Sequence, residues 1–80
     1  MFDLILISNE EKIYEGKAKE VKVIIDSVPV SILSQHQPYI AKIEDSVSIK
    51  KEGSAVESIK IDKGFLYTNG EKCFVVIDKD

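Results

Sequence analysis

The sequence contains no arginine and no tryptophan, and its 80 residues include one cysteine, one histidine and two prolines. Without arginine there is no bidentate fork for phosphate, carboxylate or guanine. The basic residues, all lysine, number 11 against 14 acidic residues, and the net charge of −3 argues against nucleic-acid binding. Cys73 cannot form an internal disulfide, and with His36 it cannot complete a Cys/His zinc site.

Long apolar runs are also absent. No segment approaches the roughly 18–20 apolar residues that cross a bilayer, so any membrane association must go through a partner. Residues 1–7 are mostly apolar but lack a positive leader and a cleavage site, and they predict the first strand of a cytosolic protein. The length and the lack of a linker predict a single domain over residues 1–80.

The apolar residues that are present favour β-structure. Twelve Ile and eight Val stand against four Leu and three Ala, and β-branched residues fit pleated, half-buried surfaces. Residues 20–23 and 28–32 alternate strictly between polar and apolar, as half-buried strands do. This alternation predicts core positions at Val21, Val23, Val28, Val30 and Ile32.

Turn signals divide the chain at short intervals and predict an all-β fold, an antiparallel β-sandwich of about 8–10 short strands. The clearest signal is Asn69-Gly70, which predicts a type I′ turn with Thr68 opposite Glu71. In that register Leu66 lies across from Cys73, and Phe65 lies across from Phe74. Further breaks are expected at residues 9–11, 26–27, 34–38, 44–45 and 51–54.

The chemistry-bearing residues do not form an active site. The carboxylates fall at turns, Cys73 lies within an apolar strand, and the four glycines are too dispersed to cradle a phosphate. We therefore expect no catalytic residue, no metal and no cofactor. His36 lies in a loop, where binding residues are often found, and it is best interpreted as a surface contact. The residues alone indicate a binding module that is not an enzyme.

Read from end to end, the sequence resembles the N-terminal β-sandwich of the epsilon subunit of F-type ATP synthases. Residues 4–16 are similar to its first hairpin, and residues 18–23 to the strand that leads into a glycine-rich loop. Residues 31–39 resemble a glycine-isoleucine-leucine-proline motif with histidine and a second proline, here with Ile32, Leu33, His36 and Pro38. Residues 63–66 and 74–78 resemble the two closing strands.

The resemblance implies a non-catalytic rotor subunit that links the gamma subunit to the c-ring and couples proton-driven rotation to ATP synthesis. It implies a peripheral location on the cytoplasmic face of the inner membrane, held there through the complex. Most relatives continue into two C-terminal helices, so an inhibitory role is not expected for this chain. The implied partner contacts are His36 with Ser34, Gln35 and Gln37, then Pro29, Val30 and Ser31, and finally Ser8.

The resemblance leads to one expectation about a loop and one about the surface. The surface expectation separates a docking subunit from a domain that binds a small ligand. The glycine-rich loop of the family is replaced here by Ile25, Val28, Pro29 and Ser31, so this loop must follow a different path. A docking subunit should also expose an apolar patch of several hundred Å². The alternative is a stand-alone sandwich that binds a small ligand, which should have an apolar pocket with converging polar groups such as Tyr14, Tyr39 or Tyr67.

Overall fold

The computed structural model describes residues 1–34 and 37–78, which form seven β-strands and no helix. These residues therefore include no helix that could span a membrane. The strands are β1 (Phe2–Ser8), β2 (Lys12–Ala18), β3 (Glu20–Ile25), β4 (Val28–Leu33), β5 (Tyr39–Lys50), β6 (Glu57–Thr68) and β7 (Lys72–Asp78).

All seven strands belong to one sheet in the order β2-β1-β7-β6-β5-β3-β4. The pairs are antiparallel except β1 with β7, which is parallel and sets Leu4 opposite Cys73. The sheet folds over on itself because β5 and β6, at 12 residues each, serve both halves. Near their midpoints the β5–β6 register shifts between Glu44 and Ser46, and Asp45 has a φ of 72°.

The fold-over produces two layers. The first layer contains β2, β1, β7, the second half of β6 and the first half of β5, and the second layer contains the remaining halves with β3 and β4. We call the end that carries Asp45 the bend end. The number of strands differs from the expected 8–10, because residues 44–45 form a bulge within one long strand and not a turn between two. The all-β class is confirmed.

The core lies between the two layers. Both layers contribute to a single apolar cluster made by the inward side chains of alternating positions. Its buried members are Phe2, Leu4, Leu6, Ala18, Val21, Val23, Ile32, Ile43, Val47, Ile49, Ile61, Leu66, Cys73, Val75 and Ile77. Core positions are thus confirmed at Val21, Val23 and Ile32, and Val30 is half-buried. The prediction for Val28 is wrong: it is 56% exposed, because it begins an edge strand at a hairpin tip.

The β3–β4 hairpin turns at Asp26-Ser27, whose φ angles are 50° and 67°. Ile25 pairs with Val28, so the loop has two residues, both in the left-handed region, as in a type I′ turn. The amide of Ser27 donates to Glu44 Oε2 at 3.2 Å. The loop that lacks the glycines of the family is therefore a tight hairpin tip attached to the bulge of β5.

The β6–β7 hairpin corrects the predicted register. Thr68 pairs with Cys73 and Leu66 with Val75, so the partner of each β6 residue lies two positions later than expected. Among the turn residues only Gly70 has a positive φ, of 97°. Asn69 instead accepts hydrogen bonds at Oδ1 from the amides of Glu71 (3.0 Å) and Lys72 (2.9 Å). Because the shift is two residues, Leu66 still shares a face with Cys73, and Phe65 still shares the opposite face with Phe74.

Candidate docking face

The outer face of the first layer carries two apolar rows that run across neighbouring strands. In one row Ile5 lies beside Phe74, Phe74 beside Tyr67, and Tyr67 beside Ile40. In the next row Ile7, Val76 and Phe65 follow one another in the same way. We call these residues the apolar band: Ile5, Ile7, Ile40, Phe65, Tyr67, Phe74 and Val76.

The apolar band is open to solvent. Ile40 is 71% exposed, Phe65 54% and Val76 45%. The rings of Tyr67 and Phe74 stack with centroids 6.4 Å apart and an interplanar angle of 27°. A large aromatic side chain has ~150–250 Å² of surface, and the three in the band are 39–54% exposed, so together with Ile40 and Val76 the band exposes on the order of several hundred Å². Patches of this size on a single soluble chain commonly mark interaction sites.

The centre of the outer face of the second layer is polar by contrast, and exposed apolar residues such as Leu33 lie in its edge strand. The central row of this face sets Ser31 beside Lys22, Lys22 beside Ser48, and Ser48 beside Ser58. The hydroxyls of Ser48 and Ser58 lie 2.9 Å apart and form a hydrogen bond. The sandwich is therefore one-sided, with a solvated outer face on one layer and an uncovered apolar face on the other.

Charged residues border the apolar band at both ends. At the end away from the bend, Lys17 Nζ lies 2.8 Å from Asp3 Oδ1. The hydrogen bond from Lys17, together with the charges of Lys17 and Lys72, lowers the pKa of Asp3 despite some opposing desolvation. At the bend end Lys63 lies beside Asp78 on β7 and beside Glu44 on β5.

A cavity of about 420 Å³ opens beside the band at the bend end. Its lining residues are Asn9, Lys42, Ile43, Lys63, Gly64, Phe65, Val76, Ile77 and Asp78. A second cavity, of about 340 Å³, lies over β1, β2 and β7, and a third, of about 110 Å³, lies on the second layer. The ligand-binding alternative points to Tyr14, Tyr39 and Tyr67, but none of them lines any of these three cavities.

The reactive groups of the described residues lie apart from one another. Cys73 is buried in the core, and desolvation raises the pKa of its thiol to about 12. A thiol with so high a pKa is a poor nucleophile near neutral pH. Within residues 1–34 and 37–78, no three His, Cys, Asp or Glu side chains are grouped to hold a metal ion. The first layer offers surface for contact and not groups for chemistry.

The structure spreads the contact residues implied by the resemblance over three places. Ser8 ends β1 at the bend end, where its Oγ accepts from the amides of Glu10 and Glu11, both at 3.2 Å. Pro29, Val30 and Ser31 lie in the edge strand β4. Ser34 and Gln37 are exposed at the opposite end, in the connection from β4 to β5, and Gln35 and His36 lie outside the described residues.

Sequence reasoning misses the apolar band, although the sequence carries a signal for it. Residues 73–77 are apolar at every position, and residues 65–67 are too. Continuous apolar strands are typical of sheets that are covered on both faces. The pattern predicts that both faces of these strands are buried. In the structure, alternate residues of these strands face outward and are exposed to solvent.

Comparisons with known proteins agree with this fold. Residues 1–79 match the family model for the ATP synthase delta/epsilon chain, β-sandwich domain. The chain belongs to this family. The match confirms the resemblance found from the sequence, and it identifies the folded-over sheet as a delta/epsilon β-sandwich.

Solved structures share the delta/epsilon fold at low sequence identity. One is a chain from the central stalk and c-ring of the Tetrahymena thermophila mitochondrial ATP synthase, with a TM-score of 0.81 and 7% identity over 99% of this chain. Another comes from the Euglena gracilis mitochondrial ATP synthase, with a TM-score of 0.82 and 18% identity over 98% of this chain. The present chain spans 63% and 49% of their respective lengths.

Proposed function

We propose that this delta/epsilon chain is a non-catalytic rotor subunit of an F-type ATP synthase that links the gamma subunit to the c-ring. Family membership supports a place in the synthase, and the matched structures include a central stalk and c-ring assembly. The observation that carries the proposal is the one-sided sandwich, whose first layer exposes the apolar band while the centre of the second layer's outer face is polar. A subunit of this shape is suited to packing one face on a partner.

In this role the apolar band packs against gamma. A close-packed sandwich transmits force with little deformation, so rotation of the ring reaches the head without slipping. Loop residues supply further contacts, and we assign them to Ser34, Gln35, His36 and Gln37. The edge residues Pro29, Val30 and Ser31, with Ser8 at the bend end, complete the proposed contact residues. The chain then lies on the cytoplasmic face of the inner membrane, attached only through the complex.

The test is recovery of synthase subunits with the tagged chain from native detergent-solubilised membranes, followed by mass spectrometry. The wild-type chain is expected to recover gamma and the other rotor and head subunits. Replacing Phe65 and Phe74 together with threonine keeps strand propensity but removes the aromatic surface, and should reduce gamma recovery at least about tenfold.

The matched control is Val56→Thr, since Val56 is 56% exposed, close to the 54% of Phe65, but lies with Ser48 at the second layer, apart from the proposed contact residues. It should recover gamma normally. His36→Ala and Pro29→Asp report on the loop and the edge strand. The proposal is wrong if the folded wild-type chain recovers no synthase subunit. It is also wrong if the Phe65/Phe74 variant recovers as much gamma as the wild type does.

A further inference from the structure

One charged side chain interrupts the apolar band. In the row that contains Val76 and Phe65, the next position on β5 is Lys42, directly opposite Phe65. Its neighbour two residues earlier on the same strand face is Ile40, a member of the band. Any surface that covers Phe65 and Ile40 must therefore also cover Lys42.

A second lysine lies close by, across the cavity of about 420 Å³. Lys42 and Lys63 both line this cavity, and its other lining groups are the apolar residues of the strands, the amide of Asn9 and the carboxylate of Asp78. The cavity opens onto the apolar band, because Phe65 and Val76 belong to both. It is large enough to receive a side chain from a partner.

Neither lysine forms an ion pair with another described residue. Among the residues that the structure describes, the ion pairs join Lys12 to Glu15, Lys17 to Asp3, and Lys51 to Glu57. Glu44 and Asp78 flank Lys63 in register but form no ion pair with it. With Lys42, Lys63 and Asp78 as its charged groups, the cavity lining carries one net positive charge.

Covering the band removes water from these ammonium groups. A buried charge without a partner costs several kcal/mol, so a stable interface must supply an opposite charge. Resting on the proposed function, we propose that the surface of gamma that covers the apolar band carries an acidic side chain. This carboxylate enters the cavity at the bend end and pairs with Lys42 and Lys63.

The direct test is zero-length carbodiimide coupling in the complex of the chain with gamma, because this reagent joins only amines and carboxylates in contact. Mass spectrometry is expected to find Lys42 or Lys63 joined to an Asp or Glu of gamma. Lys60, beside Ser46 on the outer face of the second layer, serves as the internal control and should remain unjoined. A complex that forms with neither Lys42 nor Lys63 joined to gamma would overturn the inference.

Charge reversal supplies the quantitative arm. Lys42→Glu should weaken gamma binding about tenfold or more, and Lys63→Glu should do the same, whereas Lys60→Glu should leave binding unchanged. Circular dichroism and urea denaturation establish that each variant is folded. Lys42→Met keeps the apolar stem, so weakened binding by this variant isolates the charge.

The Phe65/Phe74 variant separates the two proposals. Loss of gamma with that variant but normal binding by Lys42→Glu and Lys63→Glu would reject the acidic side chain and leave the docking face in place. Normal binding by all of these variants would reject both. Weakening by the aromatic and the lysine variants together, with the carbodiimide product, supports both.

Discussion

Gly64 lies in β6 against the backbone of β7, opposite Ile77. A Cβ at this position would lie 2.5 Å from the backbone oxygen of Val76 and 3.1 Å from the Cα of Ile77. Backbone atoms of a central strand cannot yield as a flexible side chain does, so Gly64→Ala must push the two strands apart. We expect it to lower the free energy of unfolding by about 1–3 kcal/mol, measured by urea denaturation.

A suitable control for Gly64→Ala is Gly53→Asn. A Cβ on Gly53 would meet nothing within 4 Å, and the φ of 73° at this position is one that asparagine tolerates. The control should change stability little. Equal stability of Gly64→Ala and the wild type would show that β6 and β7 can separate at Gly64 without cost.

Cys73 gives a pH-dependent prediction. In the folded chain its thiol keeps its proton up to a pKa of about 12, whereas the exposed thiol of the unfolded chain titrates near 9.0. Between these values the folded state binds more protons, so the free energy of unfolding falls as pH rises. Below pH 9.0 the contribution of Cys73 is constant.

Comparison with Cys73→Val isolates this contribution from the titration of lysines and tyrosines. Urea denaturation should show the wild type losing stability relative to the valine variant as pH rises above 9.0. Parallel curves for the two proteins across that range would contradict the burial of the thiol. Native Cys73 should also resist alkylation near neutral pH, because the thiolate is the reactive form.

At the scale of elements, the residue pair best suited to the turn of the β3–β4 hairpin lies in the β6–β7 hairpin. Asp26 and Ser27 occupy the two positive-φ positions of a type I′ turn, while Asn-Gly, the pair that favours this turn, lies at residues 69–70. Replacing Asp26 by Asn and Ser27 by Gly should raise the free energy of unfolding by about 0.5–1 kcal/mol.

The hydrogen bond to Glu44 survives the double substitution, since the donor is the backbone amide of residue 27. Thermal unfolding measures the effect, and Gly70→Ala is the opposite control, expected to destabilise because residue 70 has a φ of 97°. A double variant no more stable than the wild type would show that side-chain contacts of Asp26 or Ser27 outweigh the relieved strain.

Strands and turns can be predicted from the sequence where their cause lies in the neighbouring residues alone. Alternation identifies Val21, Val23 and Ile32 as inward residues because it depends only on the period of a strand. The turn type at residues 69–71 could not be predicted, since the side chain of Asn69 competes for the turn amides. The bulge at Asp45 contains no glycine, which would have indicated a bulge. The sequence therefore predicts a turn between two strands at residues 44–45, where the structure has the single long strand β5.

At the scale of the whole molecule, the core can be predicted more reliably than the candidate site. A core residue and an exposed residue of a docking surface have the same apolar side chains. The sequence therefore predicts an apolar ladder that contains Phe65 and Phe74, but it does not show which face of that ladder is exposed to solvent. Only the pairing of the layers shows that these side chains face away from the core. The contacts at residues 34–37 remain a prediction.

The exposed apolar band predicts how the isolated chain behaves. Without a partner, the chain should self-associate as its concentration rises, because burial of the band is favourable. Sedimentation velocity should show this for the wild type and a reduced tendency for the Phe65/Phe74 threonine variant. The two proteins should have similar unfolding midpoints, and a strictly monomeric wild type at high concentration would count against an open apolar face.

The parallel pairing of β1 with β7 has a consequence for synthesis. Of the seven strands, β1 leaves the ribosome first, yet in the sheet it lies between β2 and a strand made from residues 72–78. The early β1–β2 hairpin therefore cannot complete its layer until nearly the whole described chain has been translated, and two-stranded hairpins are marginal in water. Contacts of such long sequence separation slow folding, so the nascent chain remains open until β7 arrives.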